Sequence, residues 1–334
     1  MKIKYKQKIV TFGGGTGHFH LLNGLRELNE TSLISAVVSC WDSGGSSGRL
    51  RTELGVLPPG DIRRCLLALM EDHEQQRVAQ RLFDDRLQDL NGPLKGHSFG
   101  NLLTARLDNI YKGQDRGIDS ERALFRVKAK IMPVSVSDVN LVAETLRGVK
   151  VVGETHIDLR GNEKGYDPQD KIVRIYFDTR ADVNPQVLGA VKNADKIVFA
   201  PGDLYTSILP HLLVEGVKEA ILQSKAKLVF VLNLCTKKGE TEYYRASDYL
   251  KALLFYLDQT KRKITVIAND RRFDPEVVEI YKGVGQELVS VDEKECDKLF
   301  PNIEIIKAKV GKYFSKEHLI RHDSENLAEA ILSV

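Results

Sequence analysis

An apolar run ends at Cys40, and Asp42-Ser43-Gly44-Gly45-Ser46-Ser47-Gly48-Arg49 follows almost at once. These residue types suit the binding of an anion. Glycine has no Cβ and reaches backbone angles that other residues avoid, so the N–H groups of Gly44, Gly45, Ser46, Ser47 and Gly48 can turn toward a phosphate. Asp42, at the strand end, can hold Mg²⁺ through water, an ion that favours a few carboxylates together with substrate phosphates; capping the strand end is the alternative. Arg49 and Arg51 can clamp phosphates or stay solvated. Pro58-Pro59-Gly60-Asp61 forces a second turn and offers Asp61 as the N-cap of a helix beginning near Ile62. Arg63 becomes a phosphate ligand if that helix end faces the site.

Three further stretches leave the carboxyl end of an apolar run and carry glycine or polar residues: Gly13–Gly17, Pro201–Ser207 and Asn233–Thr241. In open α/β sheets ligands bind beyond the carboxyl ends of the strands, so four such loops describe one pocket rim. The first, Gly13-Gly14-Gly15-Thr16-Gly17, resembles a dinucleotide fingerprint but has His18 at the third glycine position. A strand–glycine–helix turn is an anion site all the same, because of its free N–H groups and the helix dipole. With Asp42 placed to meet a ribose, an NAD-dependent oxidoreductase is an alternative, but it leaves the Gly-Gly-Ser-Ser-Gly-Arg stretch unexplained. The absence of a Gly-Lys-Ser/Thr terminus speaks against a P-loop ATPase.

Gly202, Leu204, Tyr205, Thr206 and Ser207 follow a Pro-Gly turn at a helix start and read as a second phosphate or sugar cradle, with Asp203 as a further carboxylate for a metal. Asn233 and Thr236 end the most apolar strand. His97 and Asn101 flank a helix start where Ser98 fits a cap, and Asn101 can read a base or ribose. His18 and His20 lie two apart, unlike the i, i+4 spacing of helical metal ligands. Trp41 suits either a stacking surface or the core. No Ser/His/Asp or Cys/His order stands out for nucleophilic catalysis.

These residues need a scaffold of alternating strands and helices, and the pattern supplies it. Lys8–Phe12 and Leu33–Cys40 read as strands around a helix at His18–Leu28. Helices follow at Ile62–Met70, Glu74–Leu90 and Ser98–Tyr111. Met132–Val136, Leu141–Leu146, Val149–Leu159 and Lys171–Phe177 read as short glycine-broken strands. Alternation then resumes through Lys196–Ala200, Lys227–Leu234, Ile264–Ala268, Leu288–Val291 and Ile303–Ile306, with a closing helix at Ser324–Leu332. The expected architecture is α/β: one domain over 1–334 with a doubly wound, mostly parallel, Rossmann-like sheet and a β-rich insertion at about 131–178. The insertion is a reasonable place for a homodimer contact.

The bulk composition narrows the class. At 334 residues, with 42% hydrophobic and 28% charged residues and a net charge of +3, the chain has the balance of an ordinary globular protein without a nucleic-acid footprint. Its 4 cysteines are scattered and form no Cys-x-x-Cys pair, which argues against zinc and against a secreted disulfide scaffold. Neither a haem nor a flavin is expected. No apolar run reaches transmembrane length, and no signal-peptide core follows the basic N-terminus, so a cytoplasmic protein is expected.

The blocks GGGTG, DSGGSSGRLR, LPPGDIR, GHSFGNLL, PGDLYTSILP, NLCTKKGET and RHDSENLAEA, in that order, resemble the YvcK and CofD family over nearly the whole chain. The resemblance implies a CofD-like fold and a nucleoside-diphosphate ligand. CofD-type enzymes transfer a phospholactyl group from a guanosine-diphosphate-linked donor to a deazaflavin with a divalent metal. YvcK-type proteins, also called gluconeogenesis factors, bind nucleotide sugars such as UDP-sugars and regulate carbon metabolism and cell shape. GGSSGRLR and LPPGDIR resemble the YvcK branch more closely. Ser43 stands where that branch has a second aspartate, Asp203 where it has serine, and Arg64 where it has asparagine.

Overall fold

The structure is a computed structural model and describes residues 4–334. Runs of β-branched and aromatic residues bounded by glycine or polar turns form strands β1 (Ile9–Gly13), β2 (Ile34–Val38), β3 (Lys130–Pro133), β4 (Leu141–Thr145), β5 (Lys150–Val152), β6 (Ile172–Phe177), β7 (Lys196–Phe199), β8 (Lys227–Val231), β9 (Ile264–Asn269), β10 (Ile303–Ala308), β11 (Gly311–Phe314) and β12 (Leu319–His322). The principal helices are α1 (Gly15–Leu28), α2 (Gly45–Leu54), α3 (Gly60–Leu69), α4 (His73–Asp84), α5 (Phe99–Tyr111), α6 (Gln114–Leu124) and α7 (Glu154–Leu159). They continue with α8 (Pro185–Lys192), α9 (Val217–Gln223), α10 (Ala246–Tyr256), α11 (Pro275–Gly283), α12 (Glu293–Leu299) and α13 (Ser324–Ser333).

The main sheet has 7 strands in the order β10-β9-β8-β7-β1-β2-β3, and every neighbouring pair is parallel. The chain builds outward from β1 through β2 to β3, then returns to lay β7 on the other side of β1. The strand order therefore reverses between β1 and β7. The loops leaving these two strands part in opposite directions and open a crevice. Both faces of the sheet are covered, which is why β7 and β8 are apolar after their leading lysines. Phe12, Phe199, Phe230 and Tyr249 pack in the core on one face, and Leu21, Leu25, Val198 and Leu327 on the other.

Several expectations are corrected. Gly45 at φ +50° starts a helix, so Ser46 to Arg49 lie in the first turns of α2, which ends at Gly55. Leu50, Arg51 and Glu53 supply the helix-forming residues after the glycines. Asp61 lies inside α3 and does not cap it. β3 pairs with β2 in the main sheet, so the separate antiparallel sheet, ordered β5-β4-β6, begins only at Leu141. Gly153 at φ +97° ends β5 and turns Glu154–Leu159 into a helix. Leu288 makes only an isolated bridge, to Cys235. The β11–β12 hairpin, α6 and α12 had no clear sequence signal. Among the described residues no helix is long and apolar enough to cross a membrane.

Candidate functional site

The crevice between β1 and β7 holds a cleft of about 250 Å³. One wall is Gly14–Gly17, the turn from β1 into α1. The N-cap residue of α1, Gly14, has no side chain to cap it, and beyond the Gly15 N–H, which the Asp61 carboxylate takes, the first-turn N–H groups are open to a ligand anion. Gly15 takes φ +65°, and a Cβ on Gly17 would lie 2.1 Å from the carbonyl oxygen of Pro201, so only glycine lets these two loops meet. The second wall is Pro201, Gly202, Asp203 and Ser207, and the third is Asn233–Lys237. Asn233 ties these two together by donating from Nδ2 to the Gly202 carbonyl at 2.8 Å. Thr236 is buried, and its hydroxyl accepts the Glu287 N–H at 2.9 Å. The far rim comes from Tyr281 at the end of α11 and from Arg321 and His322 on β12. Burial pushes His322 down to about 3, so its ring is neutral near pH 7.

An acidic centre adjoins the second and third walls. Lys237 Nζ lies 2.8 Å from Asp158 and 3.4 Å from Asp203. Glu240 is buried and accepts from the Tyr205 N–H and the Thr206 hydroxyl, both at 3.0 Å. Asp158, Asp203 and Glu240 place oxygens within 4.8 Å of one another. Burial raises the carboxyl pKa of both Asp203 and Glu240. Burial works against the Lys237 charge, but Asp203 and Asp158 outweigh it and hold that lysine above its usual value.

Asp61 links the cleft to a second set of carboxylates. Its Oδ1 accepts the Gly15 N–H at 2.9 Å and its Oδ2 the Ser39 hydroxyl at 2.7 Å, fixing the glycine turn from behind. Arg64 Nη1 stands 3.6 Å from Asp61, on the exposed side of α3. Burial raises Asp42, and the Asp61 charge adds to this against the Gly44 N–H, which donates to Asp42 at 2.8 Å. Glu154 is pushed up to about 8 by burial first and then by Asp42 and Asp158.

The remaining expected residues lie elsewhere. Gly13 is the buried end of β1, and Leu204 is core. Tyr205 is buried with its hydroxyl 2.9 Å from that of Tyr244, so Tyr205 and Thr206 support the wall from inside. Ser46 bonds His97 Nδ1 at 2.9 Å, and Asn101 donates to Ser47 at 3.3 Å, a buried seam between α2 and α5. Arg49 donates to the carbonyls of Pro93 and Lys95. Arg63 is buried and donates to the Phe83 carbonyl and to Asp84. Trp41 is core, and its Nε1 donates to Thr206 O at 2.7 Å. Among the described residues, the group of close acidic oxygens contains Asp203 but not Asp42. The segment from Asp42 to Arg49 thus does not form a wall of this cleft.

Sequence reasoning gave Asp61 only a capping role and Arg64 only as a departure from the family pattern, and it passed over Glu154, Asp158, Lys237, Glu240, Arg321 and His322. Lys237 and Glu240 sit in the NLCTKKGET block and Arg321 and His322 in RHDSENLAEA. Those blocks carried the signal without singling out the side chains.

A doubly wound parallel sheet with a glycine turn at its switch point defines a Rossmann-like α/β protein. More narrowly, the chain belongs to the CofD family, described as 2-phospho-L-lactate transferase CofD, which matches residues 9–310. A Thermotoga maritima relative is 40% identical over 328 residues, covering 97% of this chain and 98% of its own. The gluconeogenesis factor of Halalkalibacterium halodurans is 38% identical over 98% of this chain and 96% of its own. A crystal structure of a upf0052-family protein from Bacillus halodurans superposes with a TM-score of 0.87 at 36% identity, covering 98% of this chain and all of that one.

Proposed function

We propose that this protein binds a nucleotide sugar of the UDP-sugar class in the switch-point cleft. It then acts in the cytoplasm as a regulator of carbon metabolism, gluconeogenic growth and cell shape, in the manner of the gluconeogenesis factors it resembles. The observation that carries this reading is the glycine turn into α1, with Gly17 against the Pro201 carbonyl and Asp61 holding only the Gly15 N–H. That turn suits a diphosphate, while Ser207, Asn233 and Thr236 offer hydroxyl and amide groups to a sugar or nucleoside.

Mg²⁺ fits the neighbouring carboxylates: Asp42 and Glu154 offer hard oxygen ligands whose mutual repulsion a divalent ion would relieve. Asp203 is already neutralised by Lys237, which makes it a poorer metal ligand. Bound there, the metal would neutralise charge on a ligand phosphate. The crowding of Asp42, Asp61 and Glu154 also favours a second reading, Mg²⁺-dependent transfer of a phosphorus-containing group from a GDP-type donor.

Calorimetric titration with UDP-N-acetylglucosamine and with GDP, each with and without Mg²⁺, tests both. Binding of the UDP-sugar supports the regulator. A Mg²⁺-dependent preference for GDP transfers the reading to the transferase, and no heat from either nucleotide at about 1 mM overturns both.

A further inference from the structure

Asp203 and Lys237 meet at the corner between the second and third walls of the switch-point cleft. Asp203 stands at the N-cap position of the turn Leu204–Ile208, yet its side chain caps no N–H there. An aspartate in that position ordinarily accepts from the first turn. This one instead meets the Lys237 ammonium through Oδ2 at 3.4 Å, and 36% of its side chain stays exposed. Among the described residues it is the only carboxylate in the lining of the cleft.

The charge of Lys237 is already taken. Asp158 holds its ammonium more closely, at 2.8 Å, and the buried Glu240 places an oxygen within 4.8 Å of those of Asp158 and Asp203. Arg321, the other cation of the lining, sits on the far rim and forms no ion pair among the described residues. Positive charge is therefore free at the rim and spent at the Asp203 corner. An anionic group brought to that corner would leave water without a cation to receive it, which is costly. A sugar hydroxyl fits there, because it can donate to the carboxylate, which only accepts, or accept from the ammonium, which only donates. Such charge-assisted bonds are the stronger kind.

We infer that Asp203, paired with Lys237, determines which nucleotide sugars the cleft takes: it receives the hydroxyls of an uncharged sugar and turns away a sugar that carries a carboxylate. This inference rests on the reading that the cleft binds a nucleotide sugar, and deepens it by naming the residue that sets the sugar class. Asp203→Asn keeps the shape of the side chain, removes its charge and leaves Lys237 to Asp158, so the ammonium gains room for an incoming carboxylate.

Calorimetric titration of the full chain with UDP-glucose, UDP-glucuronate and UDP, near neutral pH and with Mg²⁺ present throughout, tests it. The two sugars differ in one group, a hydroxymethyl against a carboxylate. Wild type should bind UDP-glucose more tightly than UDP, and about tenfold or more tightly than UDP-glucuronate. In Asp203→Asn that preference should fall to about threefold or less. Asp203→Ser should shift the ratio in the same direction, which keeps the test open if one variant folds poorly; melting curves show which does. A merely structural part for Asp203 would weaken both ligands alike. An unchanged ratio in the variants, or equal affinity for the two sugars in wild type, therefore overturns the inference while leaving the nucleotide-sugar reading in place. No heat from any of the three ligands at about 1 mM overturns the UDP-sugar reading and this inference together.

Discussion

Gly17 and Gly48 each sit where a Cβ would lie 2.1 Å from a carbonyl oxygen, that of Pro201 for the first and that of Ser43 for the second. Both belong to glycine-rich stretches that follow neighbouring strands, β1 and β2. Pro201 lies beyond β7, so the contact at Gly17 joins two loops across the point where the strand order reverses. Ser43 is local to Gly48, so that contact only tightens the entry into α2, whose Ser46 and Ser47 then face α5. The same composition thus builds a cleft wall in one place and helix packing in the other. The difference lies in the sheet: β1 has a diverging neighbour in β7, whereas β2 lies between β1 and β3 on one side of the reversal.

The comparison can be broken most severely at the glycines themselves. Gly17→Ala and Gly48→Ala should each cost about 3 kcal/mol by overpacking against backbone, read as a lower urea midpoint. Only Gly17→Ala should also abolish nucleotide binding in the fraction that folds; equal losses of affinity would erase the distinction. Asp61→Ala should cost about 2 kcal/mol by orphaning the Gly15 N–H and the Ser39 hydroxyl, and should weaken nucleotide binding with it. Intact affinity there would detach the α3 start from the glycine turn.

Glu154→Gln sharpens the contrast through pH. The folded state holds the Glu154 proton up to about 8, well above the unfolded carboxyl value of about 4.3. Its contribution to stability is therefore complete below about 4.3 and is lost as pH rises through about 8. The glutamine variant should gain on wild type between pH 5 and pH 8.5 in urea denaturation; a constant difference would mean that burial and the neighbouring Asp42 and Asp158 do not keep Glu154 protonated. Smallest of all, Arg49→Ala should change stability by about 0.5 kcal/mol or less and leave nucleotide affinity alone, because its exposed guanidinium serves the Pro93 and Lys95 carbonyls and a 4.0 Å pair with Glu53, away from the cleft.

Much of the scaffold was legible in the sequence. Strands buried on both faces read as apolar runs, as in β7 and β8 after their leading lysines, and the glycines after β1 announced the first wall. What escaped depends on tertiary placement. Pro59-Gly60-Asp61 has the local pattern of a cap, yet the partners of Asp61 stand 46 and 22 residues away and are brought to it only by the sheet. Arg63 and Arg64 are adjacent, and helix phase alone sends the first into the packing against Phe83 and Asp84 and the second to the exposed side near Asp61. Asp158 reaches Lys237 from the insertion, a meeting no local spacing predicts.

The central claim is that the turn after β1, and not the seam after β2, receives the ligand phosphates. Calorimetric titration of UDP-N-acetylglucosamine into wild type, Thr16→Ala and Ser46→Ala tests it directly. Thr16 is exposed in the cleft wall, whereas Ser46 is buried against His97. The account predicts an affinity loss of about tenfold or more for Thr16→Ala and less than about twofold for Ser46→Ala. The reverse ranking, or binding untouched by Thr16→Ala, would contradict it.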